Sequence, residues 1–236
     1  MHLATLMTNT DESAFAQRHP KDGEKFQRMI HAVRPDWQVS SFAVKDGIFP
    51  DDIRAFDGVM ITGSPASVLE EAPWIDRLLA EIRLAYAAQI PLFGACFGHQ
   101  AIAQALGGEV ARNPAGWGFG LIEMSVTDEV PWYTGPQDVL QYAAHVDHVT
   151  KLPEGARQVF DASHCDYAGF VMGKQVYTTQ NHPEMTPAFI DALVAEYADK
   201  LPPEVAVRAK ASLDREPDQN AFSESIARFF EVASAD

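Results

Sequence analysis

Apolar and polar positions follow two rhythms along this chain. Residues 2–9 are a short apolar run, 10–23 a polar stretch read as a loop, and 24–33 place Phe26, Met29, Ile30 and Val33 three and four apart, on one face of a helix. Residues 37–44 (WQVSSFAV) are rich in strand formers, 50–56 read as a connecting turn, and 58–62 (GVMIT) are continuously apolar, as in a strand covered on both faces. After Pro73, residues 74–88 carry Ile75, Leu78, Leu79, Ile82 and Tyr86 along one helical stripe. Residues 91–95 (PLFGA) form the next buried strand, and 98–106 a small-residue helix closed by Gly107 and Gly108. Strands alternating with helices at this pitch predict a parallel α/β sheet.

From 109 to 179 the rhythm changes. VARN, GLIEMSVT, VLQYAAHV, RQVFDASH, GFVMG and QVYTTQ are strand-like runs punctuated by Gly, Pro and Asp, and antiparallel hairpins packed on the parallel core are expected. Helical patterns return at 187–198, 203–213 and 220–232. The last two are expected on the outside of the core, and Phe222, Ile226, Phe229 and Phe230 make an apolar face that must pack on the core, the simpler outcome, or on another chain, which leaves room for a homo-oligomer. The pattern predicts a three-layer α/β/α sandwich with a mostly parallel central sheet plus antiparallel hairpins. Without a repeat, a low-complexity tract or a Gly/Ser-rich linker, residues 1–236 are taken as one domain, with a core at about 1–199 and a helical extension at about 200–236.

Composition narrows the function. The 236 residues are 47% hydrophobic and 22% charged, the balance of a soluble globular protein. A formal net charge of −15 would repel phosphate backbones and anionic lipid, so neither nucleic acid nor membrane is an expected partner. No run approaches the length of a membrane span, and the start lacks the basic and apolar regions of an export signal. Cys96 and Cys165 are too few for a disulfide framework or a Cys-rich zinc site, and they read as free thiols in a reducing cytoplasm.

The chemistry concentrates at Gly94-Ala95-Cys96-Phe97-Gly98-His99-Gln100, a cysteine where a buried strand turns into a helix. Flanking glycines permit the sharp turn that exposes a nucleophile. Free N–H groups at the helix start lower a thiol pKa and can hold an oxyanion. A cysteine nucleophile needs a base and the base an orienting group. Asn181-His182-Pro183-Glu184, after a strand-like run, supplies both, and Pro183 restricts the backbone between them. The glycine of Ile61-Thr62-Gly63-Ser64-Pro65 follows another buried strand and lets backbone N–H groups approach a ligand. In Tyr142 to Val149, His145, Asp147 and His148 invite a metal reading, but strand alternation points His148 away from His145, and no metal is expected.

GACFGHQ, NHPEM and TGSP together resemble the class I glutamine amidotransferases, specifically the stand-alone, GMP-synthase-like glutaminase domain, over about residues 2–197. The resemblance implies a flavodoxin-like fold and a Cys-His-Glu triad that cleaves the side-chain amide of glutamine through a γ-glutamyl thioester. By position, Cys96 is the implied nucleophile, His182 the base and acid, Glu184 the orienter, and the N–H groups of Gly63 and Phe97 the oxyanion hole. Gln100 and the segment His145, Val146, Asp147 are the implied substrate contacts.

Two departures stand out. Asn181 replaces an aromatic common before His-Pro-Glu and is expected to make the pocket wall more polar, and NPAGWGFG (113–120) lacks a charge that many members carry. The chain has neither a Gly-x-x-x-x-Gly-Lys-Ser/Thr loop nor a nucleotide loop of the synthetase type, so no ATP and no other cofactor is expected. Three functions stay open: a glutaminase passing ammonia to a separate synthetase, a stand-alone hydrolase of another γ-glutamyl amide, and a regulatory glutamine binder, against which the intact triad argues.

Overall fold

The computed structural model describes residues 1–235. Its elements in chain order are β1 (His2–Met7), α1 (Ala14–Gln17), α2 (Asp22–His31), β2 (Gln38–Ala43), β3 (Gly58–Ile61), α3 (Pro73–Ala87), β4 (Leu92–Ala95), α4 (Phe97–Ala105) and β5 (Glu109–Arg112). There follow β6 (Gly118–Val126), β7 (Asp138–His145), β8 (Asp147–Lys151), β9 (Arg157–Ala162), β10 (Cys165–Met172), β11 (Val176–Thr179), α5 (Pro187–Tyr197), α6 (Pro203–Ser212) and α7 (Gln219–Ala233). One nine-stranded sheet runs β2-β1-β3-β4-β11-β10-β9-β6-β7, and β5 pairs with β8 beside it. The first five strands are parallel in the doubly wound order and the last four antiparallel. Residues 176–179 form the expected hairpin with β10 and in addition pair parallel with β4 on their other side. This strand joins the two halves of the sheet.

Helices cover both faces, as the two stripes of apolar residues require. On one face, Ile75, Leu78 and Ile82 of α3 pack with Ala101 and Ile102 of α4 against Val59, Ile61 and Leu92. On the other, Phe26, Met29 and Ile30 of α2 meet Phe222, Ile226, Phe229 and Phe230 of α7 over Leu3, Met60, Phe93 and Tyr177. A third cluster joins α5 and α6 to Phe119, Leu121 and Tyr142 on the antiparallel strands. No helix among the described residues is long and apolar enough to cross a membrane.

Two expectations are corrected. The stretch 10–23 is not all loop: Ser13 caps the short helix α1, its hydroxyl accepting from the Ala16 N–H at 3.2 Å, and Phe15 is buried. The last helix is not outside the core but takes the simpler of the two packings expected for its apolar face, with all four residues fully buried against the sheet. Arg34, at the end of α2, fixes it further by bonding Glu224 at 3.0 Å and Glu231 at 2.6 Å.

Phe229→Ala should therefore destabilise the protein by about 3–5 kcal/mol, the cost of emptying a filled aromatic site. Urea unfolding followed by circular dichroism would read it, whereas a loss below about 1 kcal/mol would mean α7 is only draped on the surface.

Candidate active site

Three strand ends meet at one edge of the parallel sheet: β3 delivers Gly63, β4 delivers Cys96, and β11 leads to His182. Cys96 sits between β4 and α4 with φ 51° and ψ −106°, a left-handed backbone that a residue bearing a side chain seldom adopts. The turn is held by the Cys96 N–H donating to Thr179 O at 2.9 Å and the Gly98 N–H to Thr62 O at 3.1 Å. A Cβ at position 98 would lie 2.3 Å from the Ile61 carbonyl oxygen, so only glycine lets α4 start this close to β3.

The His182 backbone is pinned to β7, its N–H donating to Tyr142 O at 2.8 Å. Its Nδ1 lies 2.8 Å from Glu184 Oε1, which leaves Nε2 for the Cys96 side chain, whose sulfur is near enough to act on the imidazole electrostatically. All three residues are buried. Burial opposes a charged imidazole, but the Glu184 carboxylate and the Cys96 sulfur outweigh it and hold the His182 pKa well above its ordinary value. Burial would likewise raise Glu184, yet the facing imidazolium holds it below the usual carboxylate range. Gly63 borders both partners: a Cβ there would be 2.6 Å from His182 Cε1 and 3.6 Å from the Cys96 Cβ. The Gly63 and Phe97 N–H groups have no hydrogen-bond acceptor among the described residues. The Thr8 hydroxyl, 3.0 Å from the carbonyl oxygens of both Thr62 and Gly63, steadies that loop.

These residues open into a cavity of about 430 Å³, which Gln100, His145, Val146 and Asp147 also line. The Gln100 amide is not free, however. Its Nε2 donates to Asp147 O at 2.8 Å and to Gln180 Oε1 at 3.2 Å. The same Asp147 carbonyl lies 3.1 Å from His145 Nδ1, and the Asp147 carboxylate accepts from Ser67 at 2.5 Å. The expected contacts thus clamp one another. Asn181, expected to make the pocket wall polar, is fully buried and absent from the cavity lining, with both ends of its amide unpartnered among the described residues.

Sequence reasoning passed over His164, Trp117 and Phe15. His164, in the β9–β10 turn, places its Nε2 3.0 Å from His145 Nε2. A carbonyl can only accept, so His145 carries its proton on Nδ1 and receives a hydrogen bond from His164 at Nε2. Both ring nitrogens of His145 are thereby used, which argues against a metal ligand there. The pair fits because Gly118 has no side chain: its Cβ would lie 2.4 Å from the His164 ring. Burial pushes His164 down to about 4 and His145 well below its ordinary value. Cys165 is buried, which pushes its thiol up to about 12, and it reads as packing.

A model of the family described as glutamine amidotransferase class-I matches residues 26–195. Gamma-glutamyl peptidase 3 of Arabidopsis thaliana is 29% identical over 75% of this chain and 76% of its own. A glutamine-hydrolyzing GMP synthase component of Archaeoglobus fulgidus is 27% identical over 68% of this chain and 84% of its own. A glutamine amidotransferase-like protein of Schizosaccharomyces pombe is 30% identical over 61% of this chain, which spans 59% of that relative. Among solved structures, a glutamine amidotransferase of Thermotoga maritima superposes with a TM-score of 0.76 over 98% of both chains at 20% identity, a likeness of fold.

The neutral histidine pair has a pH signature. His164 is depressed below its unfolded value, so between about 6.5 and 4 the unfolded chain binds a proton that the folded chain refuses, and stability falls as pH falls through that window. His164→Gln should flatten this loss in denaturation measured at pH 7 and pH 4.5. An unchanged slope would show that other groups carry it.

Proposed function

The chain belongs to the class-I glutamine amidotransferase family, and from that premise we propose that it hydrolyses a γ-glutamyl amide through a thioester on Cys96. The observation that carries the reading is the meeting at Gly63 of a strained cysteine at a helix start and a buried histidine whose other ring nitrogen is held by a carboxylate at 2.8 Å. In this reading the Cys96 sulfur attacks the γ-carbonyl carbon while His182 Nε2 holds the thiol proton. The N–H groups of Gly63 and Phe97 receive the oxyanion, where donors free of other partners need no rearrangement. His182 returns the proton to the nitrogen as the C–N bond breaks, and Glu184 keeps Nδ1–H aimed and the imidazolium stabilised. Water, activated by the same imidazole, then releases glutamate. Side chains and backbone supply every step, so the reading calls for no cofactor. Val146 and the clamped Asp147 segment are assigned to the α-amino and α-carboxylate ends of the substrate, with Gln100 and His145 shaping that segment.

The GMP synthase component among the relatives supports glutamine as substrate with a separate synthetase as recipient of ammonia, and the γ-glutamyl peptidase supports a larger amide cleaved by this chain alone. Both use the same thioester. Cys96→Ala should lower glutamate release by about a thousandfold or more without loss of fold, read by coupled glutamate assay and thermal melting. Activity surviving in that variant would sink the mechanism. Gly63→Ala, whose methyl would sit 2.6 Å from His182 Cε1, should lower kcat by displacing the imidazole while Cys96 remains open to alkylation by an electrophilic glutamine analogue.

A further inference from the structure

Hydrolysis of free glutamine expels ammonia, a single heavy atom that needs no room of its own. The cavity at Cys96 is nevertheless about 430 Å³, within the range of about 300–1,000 Å³ that encloses ligands much larger than one amino acid. Where the surplus lies follows from the chemistry. The departing nitrogen takes its proton from His182, so any substituent on that nitrogen extends to the His182 side, away from the 145–147 segment that Gln100 clamps.

On that side the walls are aromatic. Phe15 of α1, His19 and Phe189 of α5 form a three-ring cluster with centroids 4.5, 5.1 and 5.9 Å apart, next to Met185, and all four line the cavity. Phe189 follows Glu184 by five residues and lines the same cavity as Glu184 and His182, and Lys25 Nζ sits 3.7 Å over its ring. A second cluster, Trp117, Phe119 and Tyr197, with centroids 5.5 to 6.4 Å apart, lines the cavity beside the 144–145 end of β7, because Gly118 pairs with His145 and Phe119 with Ala144. Two of the three lysines at the rim already hold carboxylates of this chain. Lys25 is paired with Asp22 at 2.8 Å, and Lys45 with Glu12 and Asp46 at 2.6 and 2.7 Å, while Lys21 is solvent-exposed.

We propose that the amine expelled on the His182 side carries a large, uncharged aromatic substituent, so that the preferred substrate is a γ-glutamyl arylalkylamide rather than glutamine. This rests on the Cys96 thioester reading and specifies its substrate. The balance is that of hydrolysis: the C–S bond forms as C–N breaks, the thiol proton leaves on the arylalkylamine, and water then forms C–O as C–S breaks. No electrons are exchanged.

The test compares γ-glutamylbenzylamide with γ-glutamylmethylamide, amides of similar intrinsic reactivity, and with glutamine and γ-glutamylglycine, using the full chain and amine release as readout. The benzylamide should exceed the methylamide in kcat/KM by about 10- to 100-fold, the gain from burying one ring. Phe15→Ala and Phe189→Ala should each lower the benzyl-to-methyl ratio by about tenfold, a ratio that a general loss of folded protein would not move. A ratio near one, unchanged ratios in both variants, or γ-glutamylglycine matching the benzylamide would overturn the aromatic recess while leaving the thioester reading in place. Failure of every amide to be cleaved, together with no labelling of Cys96 by a glutamine-analogue electrophile, would overturn the reading itself and the recess with it.

Discussion

The start of α4 is wedged so close to β4 and β3 that positions 94 and 98 can hold nothing but hydrogen. A Cβ on Gly94 would be 2.6 Å from the Gly98 carbonyl group, and one on Gly98 would be 2.3 Å from the Ile61 carbonyl oxygen. That contact forces the chain to reverse within one residue, and the residue is Cys96, held at φ 51°. The energy that keeps it there comes from either side of the turn, from buried Leu92 and Phe93 before it and the buried face of α4 after it. Relaxing the turn would cost the packing of both elements.

The other parts of the site depend on that contact through the sheet. β11 hydrogen-bonds alongside β4 with Thr179 opposite Ala95, so the register that aligns the two strands also fixes how far His182 lies from Cys96. A slip of one residue would turn every side chain of β11 to the other face. Four antiparallel strands beyond it and the bond from His182 N–H to Tyr142 O hold it from the opposite side. Glu184, two residues on, rides with His182, so the base and its orienter move as one piece.

Much of this was readable from residue order. The parallel strands and the helices between them appear within a residue or two of where hydrophobic spacing places them, because each lies in a continuous core and its period is dictated locally. Cys96, His182 and Glu184 were legible because their neighbours Gly94, Gly98 and Pro183 constrain the backbone in ways few sequences need. Other features were not. α1 has only four helical residues, too few for a period, and its visible signal was the Ser13 cap. The pairing of His145 with His164 joins residues 19 apart through a sheet whose register no local pattern encodes. The use of Gln100 to hold Asp147 required knowing that a carbonyl 47 residues away would lie above it. Periodicity shows that α7 has an apolar face but not which surface it meets.

That surface has a consequence for synthesis. The core layer beneath Leu3, Met60 and Phe93 is assembled from residues at both extremes of the chain, with Phe26 and Ile30 on one side and Phe222, Phe229 and Phe230 on the other. During translation the strands emerge first, and their second face stays uncovered until the last helix has left the ribosome. A chain cut short before residue 219 would lack the helix that packs over Phe93 and Tyr177. Such a face adheres readily to other chains. Until that helix is in place, this face of the sheet is one that a chaperone would be expected to hold.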